Sequence, residues 1–146
     1  MFGHYLDLGR GSIAEPPTNY IDRSAASVPG QTTSSVRAHK ENGFTLNGKS
    51  NEVVDRALGI YYDDVIRTAV RGLEGLLSET RKLPRFEQPI PIAISGGSAK
   101  VDGFEARVRA SVEELRSPVD ISEVRVSNDP LNTTARGALM AATLDM

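Results

Sequence analysis

Gly96-Gly97-Ser98 is the place in this chain where residue types and spacing allow ligand chemistry. Ile90, Ile92 and Ile94 alternate ahead of it as a short buried strand, which the glycine pair then breaks. Phe104, Val108, Val112 and Leu115 recur behind it at helical spacing. A strand that stops in two glycines lets a ligand touch main chain with no side chain intervening. In open α/β sheets the carboxyl ends of strands are also where ligands bind. The same pattern serves equally as a plain strand-to-helix turn in which glycine supplies a positive φ. Other chemistry-bearing residues are scattered. His4 and His39 lie far apart with no carboxylate at ligand spacing, which points to exposed side chains rather than a metal centre. Neither histidine has a motif around it that would build a Ser-His-Asp arrangement. Asp63-Asp64 and Glu113-Glu114 read as solvated helix faces, and Tyr61-Tyr62 as core and rim. Cysteine is absent, which excludes disulfides, thiolate catalysis and iron–sulfur ligation.

The elements that must position the glycine turn come from a chain of 146 residues, the size of one ordinary domain. A domain of that size buries about 70% of the surface its unfolded chain exposes. With four Tyr, four Phe and no Trp, the core has to be built from Val, Ile, Leu and Ala. The net charge of −2 and the lack of any Lys/Arg run beyond two residues give no footprint for nucleic acid or an anionic membrane. No apolar run is long enough for a membrane span, and no charged segment followed by an apolar one opens the chain. These features lead to the expectation of a cytoplasmic protein.

Two halves differ in kind. Residues 1–51 are rich in Gly, Ser, Thr, Asn and Pro, and read as a β- and loop-rich segment, either hairpins laid on the second half or partly disordered. Its candidate strands are Tyr5 to Leu8, Ser35 to His39 and Phe44 to Leu46, the last two flanking a turn at Lys40-Glu41-Asn42-Gly43. Residues 52–146 read as helix, strand, helix, strand, helix. Apolar residues from Val54 to Leu77 keep helical period up to Leu83-Pro84, with Gly59 marking a possible bend. The strand at Ile90 follows, then a helix from Asp102 with that side chain as cap, and a second strand within Val119 to Val126. Pro89 and Pro91 confine strand pairing to Ile92 to Ser95, since proline donates no ladder hydrogen bond. Asp129-Pro130 starts a last helix, whose Ala135, Ala138, Leu139 and Ala142 form a small-residue face suited to packing on a sheet. A strand–helix–strand crossover predicts a parallel pair with a right-handed connection.

Ile92 to Phe104, with its apolar strand, glycine pair and following serine, resembles the adenosine motif of the actin-like ATPase superfamily. Asp129-Pro130-Leu131 through the Gly137-Ala138-Leu139-Met140-Ala141 stretch looks like that family's closing helix. Together with the long helix these matches cover roughly residues 55 to 144. The resemblance implies the second domain of such an ATPase, with an α/β, ribonuclease H-like three-layer fold, a mixed sheet and flanking helices. It implies that Gly96 and Gly97 pass beside the nucleotide, that Ser98 bonds the base, and that Lys100 stands where some members stack an Arg on adenine. Lysine stacks less well than a planar guanidinium.

Near the N-terminus, Asp7-Leu8-Gly9-Arg10-Gly11-Ser12 resembles the phosphate motif of the same superfamily. The resemblance implies that Gly9, Gly11 and Ser12 face the phosphates while Asp7 holds the waters of a metal ion. ATP or ADP with Mg²⁺ is therefore the expected cofactor. Hydrolysis would need a complementary N-terminal domain or self-association, because the superfamily closes two domains over its nucleotide, so no catalytic residue is assigned. Two other readings stand beside this one. One is a scaffold or assembly domain that keeps the fold and uses the glycine pair only as a turn. The other is an unrelated three-layer domain that binds a different phosphate ligand at the same strand end.

Overall fold

The computed structural model describes residues 20–28, 30–78 and 85–144. Two short helices come first, α1 (Tyr20–Ser27) and α2 (Thr33–Glu41), then a long α3 (Val53–Ser78). Strand β1 (Ile90–Ile94), a 3₁₀ turn (Gly97–Lys100), α4 (Phe104–Glu113), strand β2 (Ile121–Val126) and α5 (Thr133–Leu144) complete the order. At 1.5 Å per residue, the 26 residues of α3 span about 39 Å, and they run unbroken through Gly59. Val54, Leu58, Tyr62 and Ile66 fall every fourth residue along α3 and are all buried, so one stripe of this helix carries the core.

The core gathers around that stripe and draws on every helix before α5. Ile21, Ala25 and Ala26 of α1 and Val36 of α2 join it from one side, and Phe104, Val108 and Val112 of α4 from the other. Tyr62, fully buried, stacks near Phe44 and meets Phe104 edge-on. Ser35 to His39 is therefore helix, not strand. Thr32 caps α2 by accepting the Ser35 N–H at 3.2 Å, a first-turn bond that competes with extended structure. Phe44 to Leu46 makes no hairpin with it. The chain there forms a single parallel bridge, Thr45 to Asp102.

β1 and β2 pair in parallel with α4 as the crossover. Pairing begins at Ile90 against Ile121, two residues earlier than expected, with the Ile90 N–H donating to Asp120 O at 2.9 Å. The irregularity falls between Ile90 and Pro91, where the missing donors would interrupt a regular ladder. Glu105 of α4 accepts the Val126 N–H at 2.9 Å, and Arg109 donates to Val124 O at 3.1 Å, so two polar contacts staple the helix to the strand.

Two further expectations fail. Among the described residues the sheet has two strands, both parallel, rather than the mixed sheet of a ribonuclease H-like three-layer domain. α4 covers one side, but α5 buries none of its residues, so the described residues build no third layer. A cap signal and a small-residue face foretell a helix but not the surface it seeks. The cap expected at Asp102 is also displaced by one residue. Gly103, with φ +88°, precedes α4 and makes no side-chain cap bond, while Asp102 O accepts the Leu46 N–H at 2.8 Å.

Candidate functional site

Gly96 leaves β1 with φ +109°, a conformation that L side chains rarely adopt, and the next four residues wind into the 3₁₀ turn. The turn is pinned from below by the Gly96 N–H donating to Pro130 O at 2.7 Å, and by Leu131, which packs against Gly97. A side chain at Gly97 would press on Leu131 at 3.3 Å, so glycine here permits a close approach between turn and chain.

The turn forms one wall of an open cavity of about 1140 Å³. Gly97, Ser98 and Lys100 stand on this side, and α2 supplies Arg37, Lys40 and Glu41 opposite. Tyr20 and Phe44 add aromatic surface. α2 owes its position to Asp22 of α1, whose side chain is 3% exposed and accepts from Lys40 at 2.6 Å and Arg37 at 3.1 Å. One buried carboxylate thus holds two cations at the cavity, whose lining also sets Lys100 beside Glu41 and Asp102. Charge-assisted contacts of this sort stabilise by about 1.5–3 kcal/mol when partly buried. The pair also denies Asp22 the orphaned state that would destabilise α1.

Tyr62 of the core keeps its hydroxyl buried with no hydrogen-bond partner among the described residues. Burial pushes that hydroxyl well above the usual tyrosine range, and the negative charge of Asp22 adds to the effect. Tyr62 is therefore a core residue that stays neutral.

A second cavity of about 700 Å³ lies along the far side of the segment joining α2 to α3. His39 and Asp55 meet in its wall, Nε2 to Oδ1 at 2.6 Å. Burial alone would raise the Asp55 carboxyl, but hydrogen bonds from Ser50 and His39, with the charge of His39, outweigh it and hold the carboxyl low. His39 is not the lone exposed side chain that its sequence context predicts. Its carboxylate partner is 16 residues away and arrives only because the chain reverses between α2 and α3. Asp63, read as solvated, pairs with Arg107 of α4, and Arg107 also donates to Leu46 O at 2.9 Å.

Of the residues expected to bind a cofactor, Gly97, Ser98 and Lys100 line the first cavity, and Gly96 sets the turn that carries them. Asp7, Gly9, Gly11 and Ser12 lie outside the described residues, as does the strand expected at Tyr5 to Leu8. Arg37, Lys40 and Asp22 were missed. Their signal was present in the i, i+3 spacing of Arg37 and Lys40, which puts both on one helix face, but it required α2 to be recognised as a helix.

The described residues form a small, mainly helical α/β domain with a two-stranded parallel sheet and a cleft lined by charges of both signs at the end of its first strand. The family model for Volactin matches residues 8–142, nearly the whole chain, and the chain belongs to the Volactin family. No curated protein matches the sequence. The family match replaces the resemblance to the actin-like ATPase superfamily. A glycine pair after a strand and a Gly-Ala-rich helix are signals of turn and close packing that many folds share. Here the second lacks the packing that would have made it specific. No helix among the described residues is long and apolar enough to cross a membrane.

Proposed function

We propose that the cleft between the Gly96-Gly97 turn and α2 binds a nucleotide, with ATP or ADP and Mg²⁺ as the ligand to test first. The observation that carries this reading is the convergence of Arg37 and Lys40, fixed by buried Asp22, on the same cavity as the glycine turn. The cations suit phosphate oxygens, the bare turn suits close approach, and Ser98 with Tyr20 and Phe44 suits a base or sugar. This is a binding function, and hydrolysis would call for protein groups supplied by a complementary domain or a second copy. Gly97, Lys100 and Glu41 at the rim are exposed, so a bound ligand stays partly in water. Affinity in the high-micromolar to millimolar range is expected, about −4 to −5 kcal/mol.

Titration of labelled chain with Mg-ATP, followed by NMR, tests the proposal. Shifts should appear together at 96–100 and 37–40, and Lys40→Ala should weaken binding about tenfold. Silence in both segments at several millimolar nucleotide would discard it. An assembly role is the second reading, favoured by α5, where Leu139, Met140 and Leu144 are at least 65% exposed. Large apolar side chains grouped in the open mark surfaces that pair with another molecule. Concentration-dependent sedimentation together with nucleotide silence would select that reading.

A further inference from the structure

We propose that His39, Asp55 and Glu52 form a site for a first-row divalent transition metal ion, at the wall of the smaller cavity. One ligand atom from each residue lies within 4.8 Å of the other two. The arrangement follows from the local fold. His39 sits in the last turn of α2, while Glu52 just precedes α3 and Asp55 stands in its first turn. The i, i+3 spacing of Glu52 and Asp55 puts both carboxylates on one side of the helix, facing back toward α2.

Bonds of about 2.1 Å in a tetrahedral site place ligand atoms about 3.4 Å apart. His39 and Asp55 already lie closer than that, at 2.6 Å, so an ion entering between them has only to part them slightly. Glu52 is the arm that closes the remaining distance, because it is exposed and free to change rotamer. Ser50 supports this set from behind. Its Oγ accepts the Glu52 N–H at 3.1 Å, which fixes the main chain that carries Glu52. Such outer contacts orient ligating carboxylates.

One imidazole and two carboxylates select a borderline metal ion over Mg²⁺ or Ca²⁺, which prefer all-oxygen shells. Two carboxylates and a neutral ring carry a charge of −2, which a divalent ion cancels. Lys49 and Arg56 line the same cavity and would face any anion that took the open fourth position. In the metal-free state the contact is a direct His39–Asp55 hydrogen bond. On metal binding Nε2 releases that proton to solvent and gives its lone pair to the ion, and the neutral ring carries its remaining proton on Nδ1.

The site is independent of nucleotide binding, since its ligands are not among the residues facing the glycine turn. Calorimetric titration of the full chain with Zn²⁺ should show one ion per chain, and Co²⁺ should give the visible absorption of a low-coordinate site. His39→Ala and Glu52→Gln should each weaken Zn²⁺ binding at least tenfold, whereas His4→Ala should leave it unchanged. Glu52→Gln alters only an exposed side chain, so it keeps the test open if the His39 variant loosens the α2–α3 contact. Zn²⁺ binding that survives both His39→Ala and Glu52→Gln, or no binding at millimolar Zn²⁺, would overturn the assignment.

Discussion

Replacing Gly103 with alanine should destabilise the domain more than any other single methyl addition at its described glycines. Two independent costs coincide there. The φ of +88° puts an L residue in the left-handed region, which costs about 1–2 kcal/mol. The added Cβ would also meet Asn47, with Oδ1 at 2.5 Å, Cγ at 2.8 Å and the backbone N at 3.0 Å. The Asn47 amide can rotate away, but the backbone N cannot move without dragging its neighbours. Leu46 N–H is held by Asp102 O at 2.8 Å, and Leu46 O is held by Arg107 at 2.9 Å. Overpacking of this sort costs about 1–3 kcal/mol, so the total is about 2–5 kcal/mol. Converted at roughly 3–4 °C per kcal/mol for a domain of this size, Tm should fall by about 6–20 °C.

Thermal melts and urea titrations of Gly103→Ala, Asn47→Ala and the double variant measure this directly. Asn47→Ala alone should cost under about 1 kcal/mol, its side chain being exposed. The double variant should recover the part of the loss that comes from the amide and leave the backbone strain. A Gly103→Ala protein within about 0.5 kcal/mol of wild type would refute the reasoning. It would mean that the corner between Asn47 and α4 is not packed as described.

Tyr62→Phe removes a buried hydroxyl that has no partner among the described residues, so it should be neutral or raise stability by up to about 1–2 kcal/mol in urea titrations, and a clear loss would reveal a partner. Gly137→Ala should stabilise by about 0.5–1 kcal/mol, because a Cβ there meets nothing within 4 Å, and a fall in Tm would restore the tight packing first expected of this helix. The pH dependence of stability should carry a contribution from Asp55. Its carboxyl is held below the ordinary aspartate range in the folded state, so its stabilisation is complete above that range and is lost as pH falls through the lowered value. Urea midpoints measured down the acid limb should flatten in Asp55→Asn, and an unchanged slope would contradict the assignment.

The parallel strand pair and its crossover were legible because each signal was local. Ile90, Ile92 and Ile94, the helical period from Phe104 to Val112, and Val124 with Val126 each declare their own structure. α1 and α2 were not legible for a physical reason. Tyr20–Ser27 and Thr33–Glu41 are short, rich in Ser, Thr and Ala, and α2 buries a single side chain, Val36. Helices of eight or nine residues are marginal alone and exist here through contacts with α3 and the Asp22 ion pairs. The glycine turn could be read as a site wall, but its opposite wall could not, because that wall stands on α2. The same blindness hid His39, whose partner Asp55 is a tertiary neighbour only.

α2 therefore links the two candidate sites. His39 and Lys40 are adjacent in sequence and about 100° apart around the helix, so one final turn presents an imidazole to one cavity and an ammonium to the other. The Gly97 cavity takes walls from the glycine turn and from α2, and the segment after α2 is anchored at residues 102–103. The anchor is a parallel bridge, the Leu46–Asp102 hydrogen bond and the close approach of Asn47 to Gly103. Loosening it should weaken ligand binding at the Gly97 cavity, which needs walls from both sides of the anchor. It should spare Zn²⁺ binding, whose ligands all lie between residues 39 and 55 on one side of it. Gly103→Ala, studied at a temperature where it remains folded, separates these outcomes. Equal loss at both sites would mean that the two cavities respond to global stability rather than to this contact.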